Sequence, residues 1–491
     1  MKVLVVNPPA YFGNHLRHFI QGGSRWSFSI FVPPRIKEHY LPYPFNLGYT
    51  LSLLKTTTDA EAKGIDACAL DMDDKEFVKE IKSHNPDMIV LDVPTITFPL
   101  VMPLLKEIKQ DVGCEIVLVG GHVTALSSDI MKQYEFIDYC LLAEYEHTVK
   151  ELVVRKLKSN DNVDDIKGLV YRSNGEIKTN HASLQTFNLD DMPYPDRDDF
   201  SIRAYHDFET AGRPQVQMLT SLGCPYKCSF CMPVRVMYQD SPTYRRRQPE
   251  KIVDEMEYTK EKYHAKSAYF DDDTFSVDKH RVAELCNVVI KRKLDMPWTA
   301  MGDVTLKRDN LKLLSQAGCV GVKFGVETSS IHTLDIIRKN FVKMEMVKDF
   351  VKSCEEFGIW SHATFIIGLP NEKREDTLKT IEFAKELNPD SVQFSIATPF
   401  PGTPFYEEAK VKGWLDTDDF TRYDGGNYSV LNYPTMDHKE IESLHRKALR
   451  EWYLKAIVNE IKHPKRIRRI IKSKSIQYAT RKTLSHIFGA M

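Results

Sequence analysis

Three cysteines, Cys224, Cys228 and Cys231, lie within Ser221-Leu222-Gly223-Cys224-Pro225-Tyr226-Lys227-Cys228-Ser229-Phe230-Cys231, directly after an apolar run. A Cys-x3-Cys-x2-Cys spacing places three thiolates on one short loop, where they can ligate three irons of a 4Fe–4S cluster. The fourth iron is then left without a protein ligand. An open iron on a cubane can bind a small molecule and pass it an electron, whereas a closed electron-transfer cluster takes four cysteines. A zinc site and three buried structural cysteines are the other readings of this triplet. Zinc asks for a fourth Cys or His nearby, and the loop holds none.

With Phe230 just before the last cysteine, the triplet resembles the radical S-adenosylmethionine (SAM) superfamily. The resemblance implies that the open iron chelates the amino and carboxylate groups of SAM. Electron transfer would then split SAM into methionine and a 5′-deoxyadenosyl radical.

The elements that must position this loop follow from the rest of the chain. Its 491 residues suffice for two domains and an extension, and 42% apolar content supports ordinary globular cores. A net charge of −1 creates no global field that would favour nucleic acid or a membrane. The sequence has no apolar run long enough to span a bilayer, and Met1–Pro9 reads as a first β-strand rather than a signal peptide. Nine cysteines without a paired framework fit a reducing cytoplasm. Cys68, Cys114, Cys140, Cys286, Cys319 and Cys354 are scattered beside apolar segments and read as small core residues.

Residues 1–160 alternate strand patterns, at Val3–Asn7, Ile65–Asp71, Met88–Val93, Glu115–Gly121 and Tyr139–Glu144, with helical ones. This alternation predicts a doubly wound parallel sheet, whose ligands bind at the carboxyl ends of the strands. Those ends carry Asn7-Pro8-Pro9, Asp71, Gly120-Gly121-His122 and Glu144. The glycine pair would let a ligand approach the backbone closely. Together with Leu41–Gly48 and Ala143–Thr148, these segments resemble the cobalamin-binding domain of B12-type radical SAM enzymes. The resemblance implies a corrin contacted by Asn7, Pro8, Gly120, Gly121, His122 and Glu144. It departs from the family in reading Ala143-Glu144 where Gly-Glu is usual, and in lacking an Asp-x-His-x-x-Gly motif for an axial histidine. Asp278-Lys279-His280 matches that motif only superficially, with Ala283 in place of its glycine. A sheet of the same fold without a corrin is the alternative. His15, Arg17 and His18, with Trp26 and Phe28 nearby, fall in what reads as a polar loop after the first strand, either solvated or contacting ligand.

Residues 161–205 read as a connector, with a hairpin signal at Gly168–Arg172 and Asn174-Gly175 and an extended Pro-rich stretch at Met192–Arg197. From 206 to 410 a second series begins. Six strand patterns, Val216–Leu222, Ser267–Phe270, Trp298–Met301, Cys319–Val326, Ser361–Ile367 and Val392–Ala397, alternate with helices and predict a partial (βα)6 barrel. The region resembles the branch of the anaerobic magnesium-protoporphyrin ester cyclase and the hopanoid and archaeal-lipid radical SAM enzymes. That implies SAM contacts by Glu327 of Gly325-Val326-Glu327-Thr328, backbone access for adenine or substrate at Gly368, and Asp271-Asp272-Asp273 in place of the usual Gly-Gly-Glu. The branch often has an Arg-x-Asp element after the third strand, but here Ala300-Met301-Gly302-Asp303 lacks the arginine.

Residues 411–491 read as a helical extension. Asp437 and Glu440 suggest a capping box that opens a helix to about Ile461, and 461–491 carries nine Lys or Arg around an apolar stripe at Ile467, Ile470 and Ile471. Such a basic amphipathic segment fits contact with an anionic membrane surface; a solvated tail and an RNA contact are the alternatives. The combined expectation is a cytoplasmic cobalamin-type radical SAM enzyme, possessing a 4Fe–4S cluster and SAM. It would C-methylate, or close a ring on, an unactivated carbon of a lipid or tetrapyrrole. A reductant such as flavodoxin or ferredoxin is implied as partner. The competing classes are an RNA-modifying methylthiotransferase-like enzyme and a non-catalytic cobalamin or Fe–S sensor.

Overall fold

A computed structural model describes residues 1–12, 16–20, 29–32, 41–159, 162–181, 188–206, 211–239, 241 and 244–462, with side chains outside 11–40 and 456–462. The chain divides into two compact units. One comprises Met1–Tyr205, Gly223–Arg247 and Thr398–Gly426; the other comprises His206–Leu222, Gln248–Ala397 and the chain from Asn427 onward.

The first unit is built on a seven-stranded sheet in the order Glu176–Thr179, Leu169–Ser173, Tyr139–Leu141, Glu115–Val119, Met88–Asp92, Lys2–Asn7, Glu61–Asp66. Its first five strands along the chain are mutually parallel and lie in the order 2-1-3-4-5. The order reverses between Lys2–Asn7 and Met88–Asp92, which puts the topological switch point, and the crevice that such sheets offer ligands, at the ends of those two strands. Val3–Val6, Ile89–Leu91 and Ile116–Val119 are buried on both faces, as a helix-covered parallel sheet requires. Asp73 and Glu76 form a full capping box at the start of helix Asp74–His84.

Two stretches differ from the sequence expectation. The second strand is Glu61–Asp66 and ends where Ile65–Asp71 was expected to begin extending. Asp66 accepts the Ala69 N–H (2.9 Å) and turns the chain, and Asp71 stands at φ 60°. The hairpin signalled in the connector is present as Leu169–Ser173 with Glu176–Thr179, and it extends the sheet edge. Its two-residue turn, Asn174-Gly175, has both residues at positive φ. The expected polar loop after the first strand contains a small antiparallel sheet of Tyr11–Phe12, Leu16–Ile20 and Ser29–Val32. The side chains of His15, Arg17, His18, Trp26 and Phe28 lie outside the described residues, as does the basic stretch from 463 onward.

The second unit holds six parallel strands in sequential order: Gln215–Met218, Ser267–Phe270, Trp298–Gly302, Cys319–Glu327, Trp360–Ile367 and Ser391–Ile396. This is the open six-unit barrel expected from the sequence. Outward aromatic rings pack on a helix and on one another: Phe324 meets Phe350 of helix Met344–Phe357 at 4.9 Å, and Phe270 meets Trp298 of the neighbouring strand at 4.9 Å. Helix His438–Lys462 starts where the capping signal placed it, with the Glu440 N–H on Asp437 (2.8 Å). No helix among the described residues is long and apolar enough to cross a membrane.

Candidate functional site

The cysteine loop belongs to the first unit. Cys224 is buried, and Cys228, Phe230 and Cys231 are partly buried. The Cys231 N–H donates to the Cys228 carbonyl (3.3 Å), folding the two into one turn, and a π-helical turn, Pro233–Met237, follows directly. Buried Arg235 closes back over this turn. Its Nε donates to the Cys228 carbonyl (3.1 Å), a terminal nitrogen to the Lys227 carbonyl, and its own N–H to the Cys231 carbonyl (3.1 Å). A guanidinium fixed on the loop backbone holds its shape and places positive charge beside three groups that ligate as thiolates. Among the described residues no set of three His, Cys, Asp or Glu converges on one metal ion. Cysteines that each bind a different iron need not converge. The other six cysteines are buried, and burial pushes the thiols of Cys114 up to about 11 and of Cys140 and Cys286 up to about 12.

At the sheet's carboxyl end, the residues expected to meet a corrin are largely engaged with one another. The Asn7 amide donates to Asp66 (2.9 Å), which also accepts the Tyr205 hydroxyl (2.8 Å), and the Pro8 carbonyl accepts the Cys68 S–H (3.3 Å). The glycine pair was expected to leave room for a ligand, but protein atoms fill that room. A Cβ on Gly120 would stand 2.3 Å from an Asp92 oxygen, and one on Gly121 would stand 2.2 Å from the Met232 sulfur. Glu144 is ion-paired with Arg245, which follows the cysteine loop in the chain.

His122 has unmet hydrogen-bonding capacity here. It is buried between Phe98 (4.6 Å) and Phe420 (4.9 Å), and its Nδ1 bonds the Thr95 hydroxyl (3.2 Å) just beyond the third strand. Its Nε2 is buried without a partner, and burial lowers its pKa to about 3, so the imidazole is neutral. Buried polar atoms are rarely left unsatisfied, and a neutral ring nitrogen at a switch point suits the amide-fringed edge of a corrin. In that respect the residues present fit the group. Glu146, next to the Glu144–Arg245 pair, also has a buried oxygen without a partner; burial and then the Glu144 charge raise its pKa to about 8.

In the second unit the expected SAM contacts are partly reassigned. Asp272 is wholly buried and accepts the Thr220 N–H (2.7 Å), the Thr220 hydroxyl and the Ser221 hydroxyl (2.6 Å), with the Arg281 guanidinium 3.7 Å away. Its carboxylate is consumed in pinning the residues that lead into the cysteine loop, so it anchors that segment instead of contacting ligand. Asp271 is buried and its N–H donates to the Met218 carbonyl (2.9 Å). Glu327, at φ 67° on its strand end, is ion-paired with buried Lys339 through one oxygen. Gly368 does not open onto a ligand: a Cβ there would lie 2.7 Å from Ile441 of the C-terminal helix, and the Gly368 carbonyl accepts the Tyr433 hydroxyl (3.0 Å). Asp278 is the N-cap of helix Lys279–Arg292, accepting from the His280 and Arg281 N–H groups, which accounts for the superficial histidine motif.

Arg235, Arg245, Met232 and Lys339 were not singled out from the sequence. Arg235 alone had a legible signal, four residues after Cys231 in an otherwise apolar turn; the others act through long-range contacts.

Comparison with known proteins gives these sites a family. Residues 218–384 match the radical SAM superfamily, and residues 49–153 match the B12 binding domain. An uncharacterized methyltransferase of Pyrococcus horikoshii is 31% identical over 424 residues, covering 85% of this chain and 90% of that protein. The anaerobic magnesium-protoporphyrin IX monomethyl ester cyclase of Cereibacter sphaeroides is 26% identical, covering 77% of this chain and 62% of the cyclase. The hopanoid C-3 methylase of Methylococcus capsulatus is 25% identical, covering 71% and 65%. Among solved structures, the cobalamin-dependent radical enzyme OxsB superposes with a TM-score of 0.69 at 16% identity, covering 99% of this chain and 72% of OxsB. The methyltransferase TsrM of Kitasatospora setae gives 0.65 at 17%, covering 90% and 81%. These two likenesses establish the shared fold. The chain belongs to the B12-binding-domain radical SAM family. It is a cobalamin-dependent, methyltransferase-like radical SAM enzyme whose cofactors are a 4Fe–4S cluster, SAM and cobalamin.

Proposed function

We propose that this enzyme C-methylates, or closes a ring on, an unactivated carbon of a hydrophobic substrate such as a membrane lipid or tetrapyrrole. Cys224, Cys228 and Cys231 hold the cluster, and Arg235 holds the loop that carries them. His122, with Asn7, Pro8, Gly120, Gly121 and Glu144 shaping the surrounding backbone, meets the corrin edge. Phe230 is a cofactor contact on the cysteine loop, and Asp271 and the Glu327 carboxylate that Lys339 orients are SAM contacts on the barrel strands. Bound there, the cofactors supply reductive SAM cleavage and methyl-transfer or ring-forming chemistry, while the protein orients them and excludes water.

The observation that carries this reading is that the cysteine loop is folded into the same compact unit as the B12-type sheet, tied to it by Arg245 on Glu144 and Met232 on Gly121. Hydrophobic substrates are supported by the cyclase and hopanoid methylase relatives. In this reading residues 1–160 serve the corrin, 206–410 serve SAM, and the extension from 411 offers its basic stretch to an anionic membrane surface. A small electron-transfer protein such as flavodoxin or ferredoxin supplies the electron.

The test is anaerobic reconstitution with iron, sulfide and hydroxocobalamin, followed by desalting and metal analysis. We expect about four irons and one cobalt per chain. Cys228→Ala should lose the iron and keep the cobalt. Iron without cobalt would remove the corrin-dependent reading.

A further inference from the structure

We infer that Arg235 sets the reduction potential at the cysteine loop, its fixed guanidinium stabilising the electron that a cluster on Cys224, Cys228 and Cys231 takes up. The inference rests on the proposed function for the presence of that cluster, and it gives this side chain a role in electron loading beyond holding the loop.

Backbone and side chain both fix where this charge sits. Arg235 follows Cys231 by four residues, so one helical turn brings its N–H onto the Cys231 carbonyl (3.1 Å). The turn then widens: the Tyr238 N–H reaches the Pro233 carbonyl (2.8 Å), the five-residue step of a π-helix, and Pro233–Met237 are all buried. From this turn the side chain runs back along the loop, with Nε on the Cys228 carbonyl (3.1 Å) and a terminal nitrogen on the Lys227 carbonyl. Neighbouring segments of the same unit wedge the turn in place. A Cβ on Gly402 would stand 3.1 Å from Val236 and 2.8 Å from Ala125, and the Phe405 N–H donates to the Ser229 carbonyl (3.2 Å). A planar guanidinium can meet two carbonyls at once and keeps its proton at any pH the fold survives.

The charge matters because everything that gathers at this loop is negative. Three cysteines ligate as thiolates, and a one-electron donor, a flavin or iron–sulfur protein, adds one further negative charge with no proton to offset it. Net charge and hydrogen bonding around a cluster are what set its potential. From Ser221 to Gln239 the sequence holds two cations, Lys227 and Arg235, and no acidic residue. Lys227 is exposed, where water and salt screen it, whereas Arg235 is 8% exposed and bonds the carbonyl of Cys228 itself. Whatever else the guanidinium touches, replacing it with a neutral group withdraws one positive charge from beside a ligating residue. The direction of the effect is therefore fixed: without Arg235 the added electron is held less tightly and the potential is more negative. The residue thus eases the first electron transfer, onto the loop, at the expense of driving force for the second, onto SAM.

The experiment reconstitutes the full-length protein with iron and sulfide alone and poises it at a series of potentials, following the paramagnetic resonance signal of the reduced cluster. Arg235→Gln keeps a donor amide and loses the charge. We expect it to hold about four irons, as the wild type does, but at least tenfold less reduced cluster at a given potential, a midpoint about 59 mV more negative. Arg235→Lys, which keeps the charge, and Lys227→Gln, which loses an exposed one, should both titrate with the wild type. An iron-replete Arg235→Gln with the wild-type midpoint overturns the proposal and leaves Arg235 a clamp on the loop. If Arg235→Gln does not retain iron, Arg235→Lys decides: iron retained at the wild-type midpoint supports the proposal, and lost iron or a shifted midpoint overturns it. Retention of iron by Cys228→Ala would instead fail the proposed function, through a variant in which Arg235 is unchanged.

Discussion

Glu146 shows how a single residue couples the sheet end to pH. Burial and the neighbouring Glu144 charge raise its pKa to about 8, from 4.5. The folded state therefore keeps a proton that the unfolded chain releases, so its contribution is complete below 4.5 and is lost as pH rises through about 8. His122 acts in the opposite sense, because its lowered pKa of about 3 makes folding release a proton and costs stability as pH falls below 6.5. Glu146→Gln, which stays neutral, should match the wild type in melting temperature near pH 4 and exceed it by several degrees at pH 9. Identical pH profiles for the two would show that Glu146 ionises normally. Neither effect is visible in residue identity; both arise from which neighbours exclude water.

At the scale of elements, the C-terminal helix is the case where the structure reassigns a motif. Gly368-Leu369-Pro370 ends the fifth barrel strand as expected, but the space over Gly368, at φ +83°, holds Ile441. The surrounding polar groups complete the junction. Glu372 accepts from the Thr328 hydroxyl (2.8 Å) and the Leu369 N–H (3.3 Å), and the Thr435 hydroxyl donates to the Glu372 carbonyl (2.8 Å). Gly368→Ala would introduce both a left-handed alanine and a clash with Ile441, at a cost of roughly 2–4 kcal/mol. Chemical denaturation should report that loss. A variant as stable as the wild type would mean that the helix packs elsewhere and that the glycine is free for ligand.

At the scale of the whole molecule, the compact units do not follow chain order. Residues 223–247 and 398–426 fold with Met1–Tyr205, supplying Met232 to Gly121, Arg245 to Glu144 and Phe420 to His122. A fragment ending at Tyr205 would leave partly buried Glu144 without its cation and His122 without one wall. We expect that fragment to melt broadly and well below the full chain by circular dichroism, and to bind a hydrophobic dye. A sharp transition at the full chain's temperature would contradict this interleaving.

What the sequence determined by itself is whatever depends on neighbours along the chain. The Cys-x3-Cys-x2-Cys loop, the alternation of strands and helices in both halves, the Asn174-Gly175 hairpin and the helix start at Asp437 are all local signals, and each is found where expected apart from the second strand, which ends at Asp66. Tertiary structure decided what fills the space beside each motif. Gly120, Gly121 and Gly368 all read as openings for a ligand, yet Asp92, Met232 and Ile441 occupy them. Asp272 read as a ligand contact, yet it anchors Thr220 and Ser221. A missing side chain or a free carboxylate is a local fact, but whether ligand or protein answers it depends on residues tens to hundreds of positions away that only folding brings together.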